Sequence, residues 1–574
     1  MEKPKALSFS SKQLLFRLDQ RLQLIIIGTL VGIFGGLASV FLNRSLRFFF
    51  ISLQPLRSYW YAPILPACGA ALSSIFLRHI IKEMGGHGVP EVIYSISRRG
   101  GLLRLRSSFS RLISGLLTIA SGGSAGPEAP VVISGASIGS NISCLFNLRD
   151  RQRVVIVGCG AAAAIASIFN APVAGIVFSL EVILGDWTPI NLIPIAIASV
   201  AGTEVSRALQ GNQIPFQHRM FQISATDIVV SFGLAVLTAL GSILLIRTLR
   251  IIETKSKGIV SYHWVRAALG GLLVGIVGLF LPVVLGEGYE VVKTIIEEEF
   301  SQGLVIVGFA ILAKILATSL TLGSGGSGGI FAPCLVIGSL IGLFYQRGLV
   351  FALPSIHWAG EGYFALLGMA GVISSVLQAP LTGIFLVVEI TGSYEVIIPV
   401  VLVSVITATI SHYFEPFSVY HQELISRGEL LRPRTDARVL AELNVMELLE
   451  NDCLLLHPEM RLKEFVSIVQ RSHRDYFPVV DSKNHNFLGL IHLDDVRPYL
   501  FNQSLYDFVL VEEIMNTKVT CVSPDDDLSE VLQKFERTNS WSLPVVQEGK
   551  FLGLISKATL LDHYRRELMV QEEK

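Results

Sequence analysis

The chain has 574 residues, of which 51% are hydrophobic and 16% are charged, and its formal net charge is zero. Soluble domains carry about 25% charged residues, so this composition excludes an ordinary soluble protein and indicates a membrane protein. The balanced charge points to no particular partner, and we expect no nucleic-acid binding. The six cysteines are scattered without a C-x-x-C pair, so we expect neither a disulfide framework nor a metal site.

The N-terminal residues 1–21 are basic and lead straight into a long apolar run, which predicts a cytoplasmic N-terminus. A membrane-spanning helix needs about 20 apolar residues, and some of the apolar runs fall short of that length. Short runs interrupted by Gly and Pro are typical of discontinuous or re-entrant helices. The apolar runs cover residues 22–42, 227–246, 265–285, 305–322, 365–376 and 396–410.

Two motifs occur twice, in the same order and at nearly the same interval. "SGGSAGPEAP", beginning at Ser121, aligns with "SGGSGGIFAP", beginning at Ser324. "NAPVAGIVFSLE", ending at Glu181, aligns with "QAPLTGIFLVVE", ending at Glu389. We therefore predict two homologous membrane halves, at about residues 22–208 and 228–413. Transporters built from such repeats often bind their substrate where broken helices of both halves meet.

The glycine-rich breaks predict an anion site. Backbone cannot leave a helix inside lipid unless protein or a water-filled cavity satisfies it, so both breaks must lie in the protein interior. Each is followed by an apolar helix, whose first N–H groups are unpaired and carry the positive end of the helix dipole. Two such ends aimed at one point would bind an anion without Lys or Arg. A third break, "GGHGVPEV" at residues 85–92, adds either another helix end or an ordinary turn.

Composition changes near Pro416, after which charged residues become frequent. We predict a linker at residues 427–438 and two soluble units at 439–502 and 503–574. "YFPVVDSKNHNFLGLIHLDDV" in the first unit matches "SLPVVQEGKFLGLISKATL" in the second, each following an amphipathic helix that begins after Pro. Two β-α-β-β-α units of this kind resemble a pair of CBS domains.

The motifs of the membrane part resemble those of the CLC family of chloride channels and chloride–proton exchangers. The family's G-S-G-I-P, G-R/K-E-G-P and G-x-F-x-P motifs correspond to "GHGVP" at residues 86–90, "GPEAP" at 126–130 and "GIFAP" at 329–333. The resemblance implies an all-α polytopic membrane protein with an inverted repeat and broken helices, plus a cytoplasmic α/β CBS pair. It also implies a homodimer with one chloride pathway per subunit, in the cell (inner) membrane, with both termini cytoplasmic.

The resemblance assigns roles to individual residues. Glu128 takes the place of the family's gating glutamate, which competes with the anion when ionised and moves aside when protonated or displaced. Tyr420 resembles the tyrosine whose hydroxyl faces the anion, with Tyr394 and Tyr413 as rivals. The residues predicted to bind the anion are His87, Gly88, Gly126, Pro127, Ala129, Gly329, Ile330, Phe331 and Tyr420.

Three positions depart from the family pattern. His87 replaces the usual Ser, so fluoride or nitrate stay open as alternatives to chloride. Ala129 replaces the glycine after the gating acid. Val182 stands where exchangers carry an inner proton-transferring glutamate, and its neighbour Glu181 has a counterpart in Glu389, which favours a scaffold role. This pattern favours a passive voltage- or pH-gated channel, with a proton-coupled chloride antiporter as the alternative. A sensor built on the CBS pair is a further rival, and we expect no enzymatic activity.

The CBS pair carries an incomplete nucleotide signature. Relatives that bind adenine nucleotides often use an S/T-x-x-D motif. Here the first copy has Asp495 but His492 at the hydroxyl position, and the second has Ser556 but Thr559 at the acid position. Adenine nucleotide binding and a purely dimerising role both stay open.

Overall fold

The computed structural model describes residues 19–83, 88–212, 216, 220–221, 223–427, 444–482, 484–538 and 540–572. The chain divides into two compact units, Met1–Glu429 and Leu430–Lys574. Residues 1–18 of the predicted N-terminal segment, and 428–438 of the predicted linker, lie outside the described residues.

The regular elements of the first unit, within its described part, are helices joined by turns and loops. Its helices are α1 (Gln20–Leu53), α2 (Ile64–Ile75), α3 (Val89–Arg99), α4 (Ser107–Ala120), α5 (Glu128–Leu145), α6 (Asp150–Phe169), α7 (Pro172–Phe178), α8 (Pro189–Gln210), α9 (Ala225–Ile259), α10 (His263–Phe280), α11 (Tyr289–Ile296), α12 (Leu304–Gly323), α13 (Phe331–Ala352), α14 (Glu361–Leu377), α15 (Pro380–Thr391), α16 (Ile397–Phe414) and α17 (Val419–Ser426).

Within the described ranges, nine helical segments are long and apolar enough to cross a membrane. Three further apolar segments are shorter, at Pro172–Leu184, Glu361–Leu377 and Pro380–Thr391. The apolar run at 265–285 does not form one continuous helix. Helix α10 ends at Phe280, just before Pro282, which has no N–H to continue the hydrogen-bond ladder. The mixture of long and short helices is what the interrupted apolar runs predict.

The two halves repeat their packing. Helix α5 packs on α6 as α13 packs on α14, and α7 packs against α15 across the halves. At the α5–α6 crossing, Gly135 and Gly160 approach so closely that a Cβ on either would collide with the other's backbone. Gly338 and Gly368 do the same at the α13–α14 crossing. Small residues at such crossings allow the close helix approach on which membrane helix packing depends.

The second unit contains two antiparallel strand pairs. Its elements are α18 (Leu462–Val469), β1 (Tyr476–Val480), β2 (Phe487–His492), α19 (Leu493–Leu500), α20 (Val511–Ile514), α21 (Leu528–Thr538), β3 (Ser542–Gln547), β4 (Lys550–Ser556) and α22 (Lys557–Glu572).

The two copies exchange their leading segments. Val445 and Leu448 lie at the start of the first copy but pack in the core of the second. Val511 lies at the start of the second copy and packs in the core of the first. This exchange buries apolar surface from both copies in each core, which ties them into one module.

Candidate functional site

The two glycine-rich breaks meet through their backbones. The N–H of Gly126 donates to the carbonyl of Gly329 at 2.8 Å, and the N–H of Gly329 donates back to the carbonyl of Gly126 at 2.6 Å. The pair forms an isolated antiparallel bridge between residues that are aligned in the sequence repeat. The predicted convergence of the two breaks is therefore present in the fold.

Threonine hydroxyls connect the two breaks by the same hydrogen-bond pattern on both sides. The N–H of Ser124 donates to Thr321 Oγ1 at 3.0 Å, and the N–H of Ser327 donates to Thr118 Oγ1 at 3.2 Å. Each Ser lies in one break and each Thr lies in the helix that leads into the other break. Since buried N–H groups are costly to leave unpaired, these reciprocal bonds stabilise non-helical backbone in the interior of the unit.

The breaks need glycine at one matched position. Gly122 has φ +111° and Gly325 has φ +110°, a left-handed conformation that side-chain-bearing residues rarely adopt. Each lies directly after the cap residue of a helix, α4 or α12. The repeat in the sequence thus marks a repeated backbone bend.

Three helices begin near this point. Helix α5 begins at Glu128 and α13 at Phe331, each two residues after its bridging glycine. Helix α3 follows Gly88, at which a Cβ would lie 3.5 Å from Ile133 in α5. Helix starts present unpaired N–H groups and positive partial charge, which suits a dehydrated anion.

All predicted anion-site residues that the structure describes are buried. His87 lies outside the described residues, so its side chain has no structural account. The buried members are Gly88, Gly126, Pro127, Glu128, Ala129, Gly329, Ile330, Phe331 and Tyr420.

The Glu128 carboxylate folds back over the bridging glycines. The side chain is fully buried, and a Cβ on Gly329 would lie 2.7 Å from its Oε2. A Cβ on Gly126 would collide with the same carboxylate. Oε1 accepts a hydrogen bond of 2.5 Å from the Tyr289 hydroxyl, whereas Oε2 has no hydrogen-bond partner among the described residues. The carboxylate therefore lies against the paired breaks themselves.

Sequence reasoning missed Tyr289 and Lys314. Lys314 lies in the apolar helix α12 and is fully buried, with Nζ donating to the carbonyls of Val284 at 3.1 Å and Gly286 at 3.2 Å. A lone lysine inside an apolar run is a signal for a functional or tightly paired group, and it was visible in the sequence. Tyr289 had no comparable signal, because its contact with Glu128 spans 161 residues of sequence.

Tyr420 differs from its two rivals. Its side chain is fully buried on α17, and its hydroxyl has no hydrogen-bond partner within the described part of the chain. Tyr413 and Tyr394 are 85% and 60% exposed. A buried hydroxyl without a partner is costly, which is the condition expected of a group that awaits a ligand.

The Glu181 carboxylate caps a helix of the other half. It accepts the N–H of Leu381 at 3.1 Å and the N–H of Thr382 at 2.7 Å, at the start of helix α15 in the other half. Val182 beside it is buried and apolar. These two hydrogen bonds cap the start of a helix, which is the contact that a scaffold role predicts.

In the second CBS copy, the two hydroxyls of the nucleotide signature bond to a carboxylate of the same unit. Ser556 Oγ donates to Glu450 Oε1 at 2.6 Å, and the Thr559 hydroxyl donates to the same oxygen. Arg474 pairs with the other oxygen of Glu450. The hydroxyls expected to contact a nucleotide thus donate hydrogen bonds to a carboxylate of the same unit, and nucleotide binding at this position stays a prediction. Asp495 of the first copy is exposed.

Nine helical segments able to cross a membrane, within the described ranges, and two broken helices that meet in the interior of the unit define a multi-pass integral membrane protein. The family model described as voltage gated chloride channel matches residues 68–412, and the CBS domain model matches residues 445–502 and 511–566. The first match covers more than half of the chain. The chain therefore belongs to the CLC family, a family of chloride transport proteins.

Curated relatives and solved structures agree with this assignment. The chain is 29% identical over 431 residues to a ClcB-like chloride channel protein of Ralstonia nicotianae, covering 71% of this chain and 98% of that protein. It is 27% identical over 407 residues to the H(+)/Cl(-) exchange transporter ClcA of Klebsiella pneumoniae, covering 67% and 86%.

Among solved structures, a slow cyanobacterial Cl-/H+ antiporter superposes with a TM-score of 0.65 at 21% identity, covering 73% of this chain and 100% of that chain. A eukaryotic CLC transporter superposes with a TM-score of 0.64 at 17% identity, covering 95% and 98%. These two likenesses concern the fold. The predicted fold class, a helical CLC-type membrane unit followed by a CBS pair, is confirmed.

Proposed function

We propose that the protein moves chloride through the point where its two glycine-rich breaks meet, with Glu128 as the gate. The observation that carries the proposal is the mutual Gly126–Gly329 backbone pair, over which the Glu128 carboxylate is folded. In this position an ionised carboxylate competes with an anion for the helix starts. Once protonated it loses its attraction to them and moves aside, which makes transport depend on pH.

Anion binding in this proposal uses backbone N–H groups at the starts of α5 and α13, including those of Ile330 and Phe331. The Tyr420 hydroxyl completes the site from another helix. Partial charges from helix ends bind an anion while leaving it able to depart, whereas a full buried cation would hold it. By the same argument, Gly88 and Ala129 would contribute backbone N–H groups to the anion site.

Passive conduction is the first mode that we propose. Val182 cannot carry a proton, and Glu181 is held by two backbone N–H groups of α15. Both observations support a pathway without an inner proton-transferring acid at this position.

Chloride–proton exchange is the second candidate. It is supported by the relative in Klebsiella pneumoniae, whose name is H(+)/Cl(-) exchange transporter. The Tyr289–Glu128 hydrogen bond also gives the gating acid a partner through which a proton can be passed.

A flux assay separates the modes. The purified protein is reconstituted in liposomes with opposed chloride and pH gradients, and both ions are followed. Chloride efflux without proton movement supports passive conduction, and proton uptake driven by the chloride gradient establishes exchange. Absence of flux for chloride, fluoride and nitrate would refute the proposal. Glu128→Gln in the same assay is expected to remove the pH dependence of chloride flux.

The homodimer, the cell-membrane location and the cytoplasmic termini stay predictions from family resemblance, and native mass spectrometry in detergent tests the first. Nucleotide binding at Asp495, Ser556 and Thr559 also stays a prediction. It is tested by comparing ATP-dependent thermal stabilisation of the full chain with that of Asp495→Ala.

A further inference from the structure

One side chain outside the glycine-rich breaks bonds directly to the gating acid. The Tyr289 hydroxyl donates to Glu128 Oε1 at 2.5 Å, across 161 positions of sequence. The other carboxylate oxygen, Oε2, lies over Gly329, at which a Cβ would be only 2.7 Å away. The carboxylate thus lies between the paired breaks on one side and the Tyr289 hydroxyl on the other.

The backbone that carries Tyr289 is fixed to the first break. Residues 286–289 connect the turn after α10 to the start of α11. The Gly286 N–H donates to the carbonyl of Gly122 at 3.2 Å, and the buried Lys314 Nζ donates to the carbonyl of Gly286 at 3.2 Å. Gly286 and Gly288 have φ of +61° and +83°, a bend that favours glycine at both positions. The start of α11 is therefore held at a defined place beside the gate.

The Tyr289 ring is held by other aromatic side chains. Its centroid lies 6.5 Å from that of Phe169 and 6.1 Å from that of Phe216, in both cases with the rings edge to face. Phe169 also packs against Phe331, the first residue of α13, at 6.4 Å. Edge-to-face aromatic packing stabilises a particular ring orientation. The hydroxyl is thus positioned by its own surroundings, and the hydrogen bond breaks when the Glu128 carboxylate moves.

We propose that Tyr289 is a positioning residue whose hydroxyl latches the Glu128 carboxylate over the paired breaks, so that opening of the anion site requires this bond to break. The inference rests on the proposed function and assigns a control element to the same gate. A hydrogen bond to an ionised carboxylate is stronger than one to a neutral carboxyl group and favours the ionised form. Protonation of Glu128 therefore weakens the latch at the same time as it removes the attraction to the helix starts.

Other titratable groups surround this region and are the same in every comparison below. Glu287 directly precedes the Gly288–Tyr289 pair in sequence. The helices around the site carry Glu91 on α3, Arg111 on α4, Cys159 on α6, Lys314 on α12, Cys334 on α13 and Tyr420 on α17. Since Tyr289→Phe changes none of them, a change in pH dependence reports on the lost hydroxyl.

The test is the pH profile of chloride efflux from liposomes that contain the full-length protein. Tyr289→Phe removes the hydroxyl and keeps the ring that packs against Phe169 and Phe216. A hydrogen bond to a charged group is worth about a factor of ten, so chloride efflux at neutral pH is expected to rise by about tenfold. For the same reason, the midpoint of acid activation is expected to shift by about one pH unit toward alkaline pH.

Two controls make the result specific. Tyr345→Phe removes another partly exposed tyrosine hydroxyl of the membrane unit, which donates to the carbonyl of Val230 at 2.8 Å, and is expected to leave the profile unchanged. In a Glu128→Ala background, which has no carboxylate to latch, Tyr289→Phe is expected to have no further effect on efflux.

The proposal is overturned if Tyr289→Phe gives the profile of the unaltered protein, or if it changes efflux equally in the Glu128→Ala background. Lower efflux at neutral pH also overturns it, because removal of a latch cannot slow opening. Each of these results leaves the proposed function intact, provided that the unaltered protein transports chloride with a pH dependence that Glu128→Gln removes. Absence of chloride flux in the unaltered protein refutes the proposed function itself.

Discussion

Glu181 and Glu389 each cap a helix that belongs to the opposite half. Glu181 accepts the first free N–H groups of α15, and Glu389 accepts the N–H groups of Val173 at 3.0 Å and Ala174 at 2.7 Å, at the start of α7. Since the two acids end the same repeated motif, the exchange of caps is part of the twofold design. This capping gives a structural reason for an acid at each of the two positions.

The first prediction concerns this cap. Glu181→Gln weakens two hydrogen bonds to a helix start and is expected to lower the free energy of unfolding by about 1 kcal/mol. Thermal unfolding in detergent measures that loss, with the exposed Glu395→Gln as the matched control. The ratio of proton to chloride movement in liposomes is expected to be the same as in the unaltered protein. A folded Glu181→Gln variant with an altered ratio would give Glu181 a part in proton transfer.

Tyr420 provides a test of the anion site away from the gate. Tyr420→Phe deletes the buried hydroxyl that has no partner among the described residues. If this hydroxyl donates to the anion, its loss is expected to weaken chloride binding by about 1 kcal/mol, or roughly fivefold in Kd. Isothermal titration calorimetry measures the change, and Tyr413→Phe, at an 85% exposed residue, is the control. Equal affinities for both variants would exclude Tyr420 from the site.

Gly126→Ala tests the resting position of the gate. An added Cβ would collide with the Glu128 carboxylate, the mobile end of a side chain, so the carboxylate is expected to be displaced while the fold survives. Chloride flux should then depend less on pH than in the unaltered protein. Gly258→Ala on α9, where nothing lies within 4 Å of the added Cβ, should leave the profile unchanged. A folded Gly126→Ala variant with an unaltered pH profile would contradict the position of Glu128.

The CBS unit offers a pH-dependent contact outside the membrane. Hydrogen bonds from Arg474 to Asp452, of 2.6 Å and 2.8 Å, lower the pKa of that carboxyl. A lowered pKa in the folded state means that the contact stabilises above the unfolded pKa of about 4 and ceases to do so as the pH falls through the folded value.

Asp452 is exposed, so the effect is expected to be well below 1 kcal/mol. Arg474→Gln should reduce this small acid-dependent loss, measured as proteolytic susceptibility of the CBS unit in the full chain over a pH series. An unchanged acid dependence would show that the pair contributes nothing measurable.

Much of the site could be predicted from the sequence, because the site is built from repeated local features. The matched breaks beginning at Ser121 and Ser324 indicated that the two breaks meet. Buried backbone outside a helix needs hydrogen-bond partners, and a repeated break has few other ways to find them. Glu128 was identifiable as an acid inside one of those breaks. The scaffold interpretation of Glu181 came from its repeat partner, and its contacts in the structure agree with that interpretation.

Features that depend on long-range packing were not predictable. The segment Gly286–Tyr289 contacts Glu128 through the Tyr289 hydroxyl, although the two residues are 161 positions apart in the chain. Its glycines resemble those of an ordinary turn. The exchange of leading segments between the CBS copies was equally hidden. Val445 and Val511 are unremarkable apolar residues, and local pattern does not indicate which of two similar cores each one enters. The pairing of Glu450 with Ser556 follows from that exchange.

The central claim is that helix starts from both halves bind an anion where Glu128 now lies. Anomalous diffraction from bromide-soaked crystals of Glu128→Gln tests it most directly. We expect a bromide peak within about 3.5 Å of the backbone nitrogens of Ile330 and Phe331. A well-ordered crystal with bromide bound elsewhere in the membrane unit, and none at the paired breaks, would contradict the account.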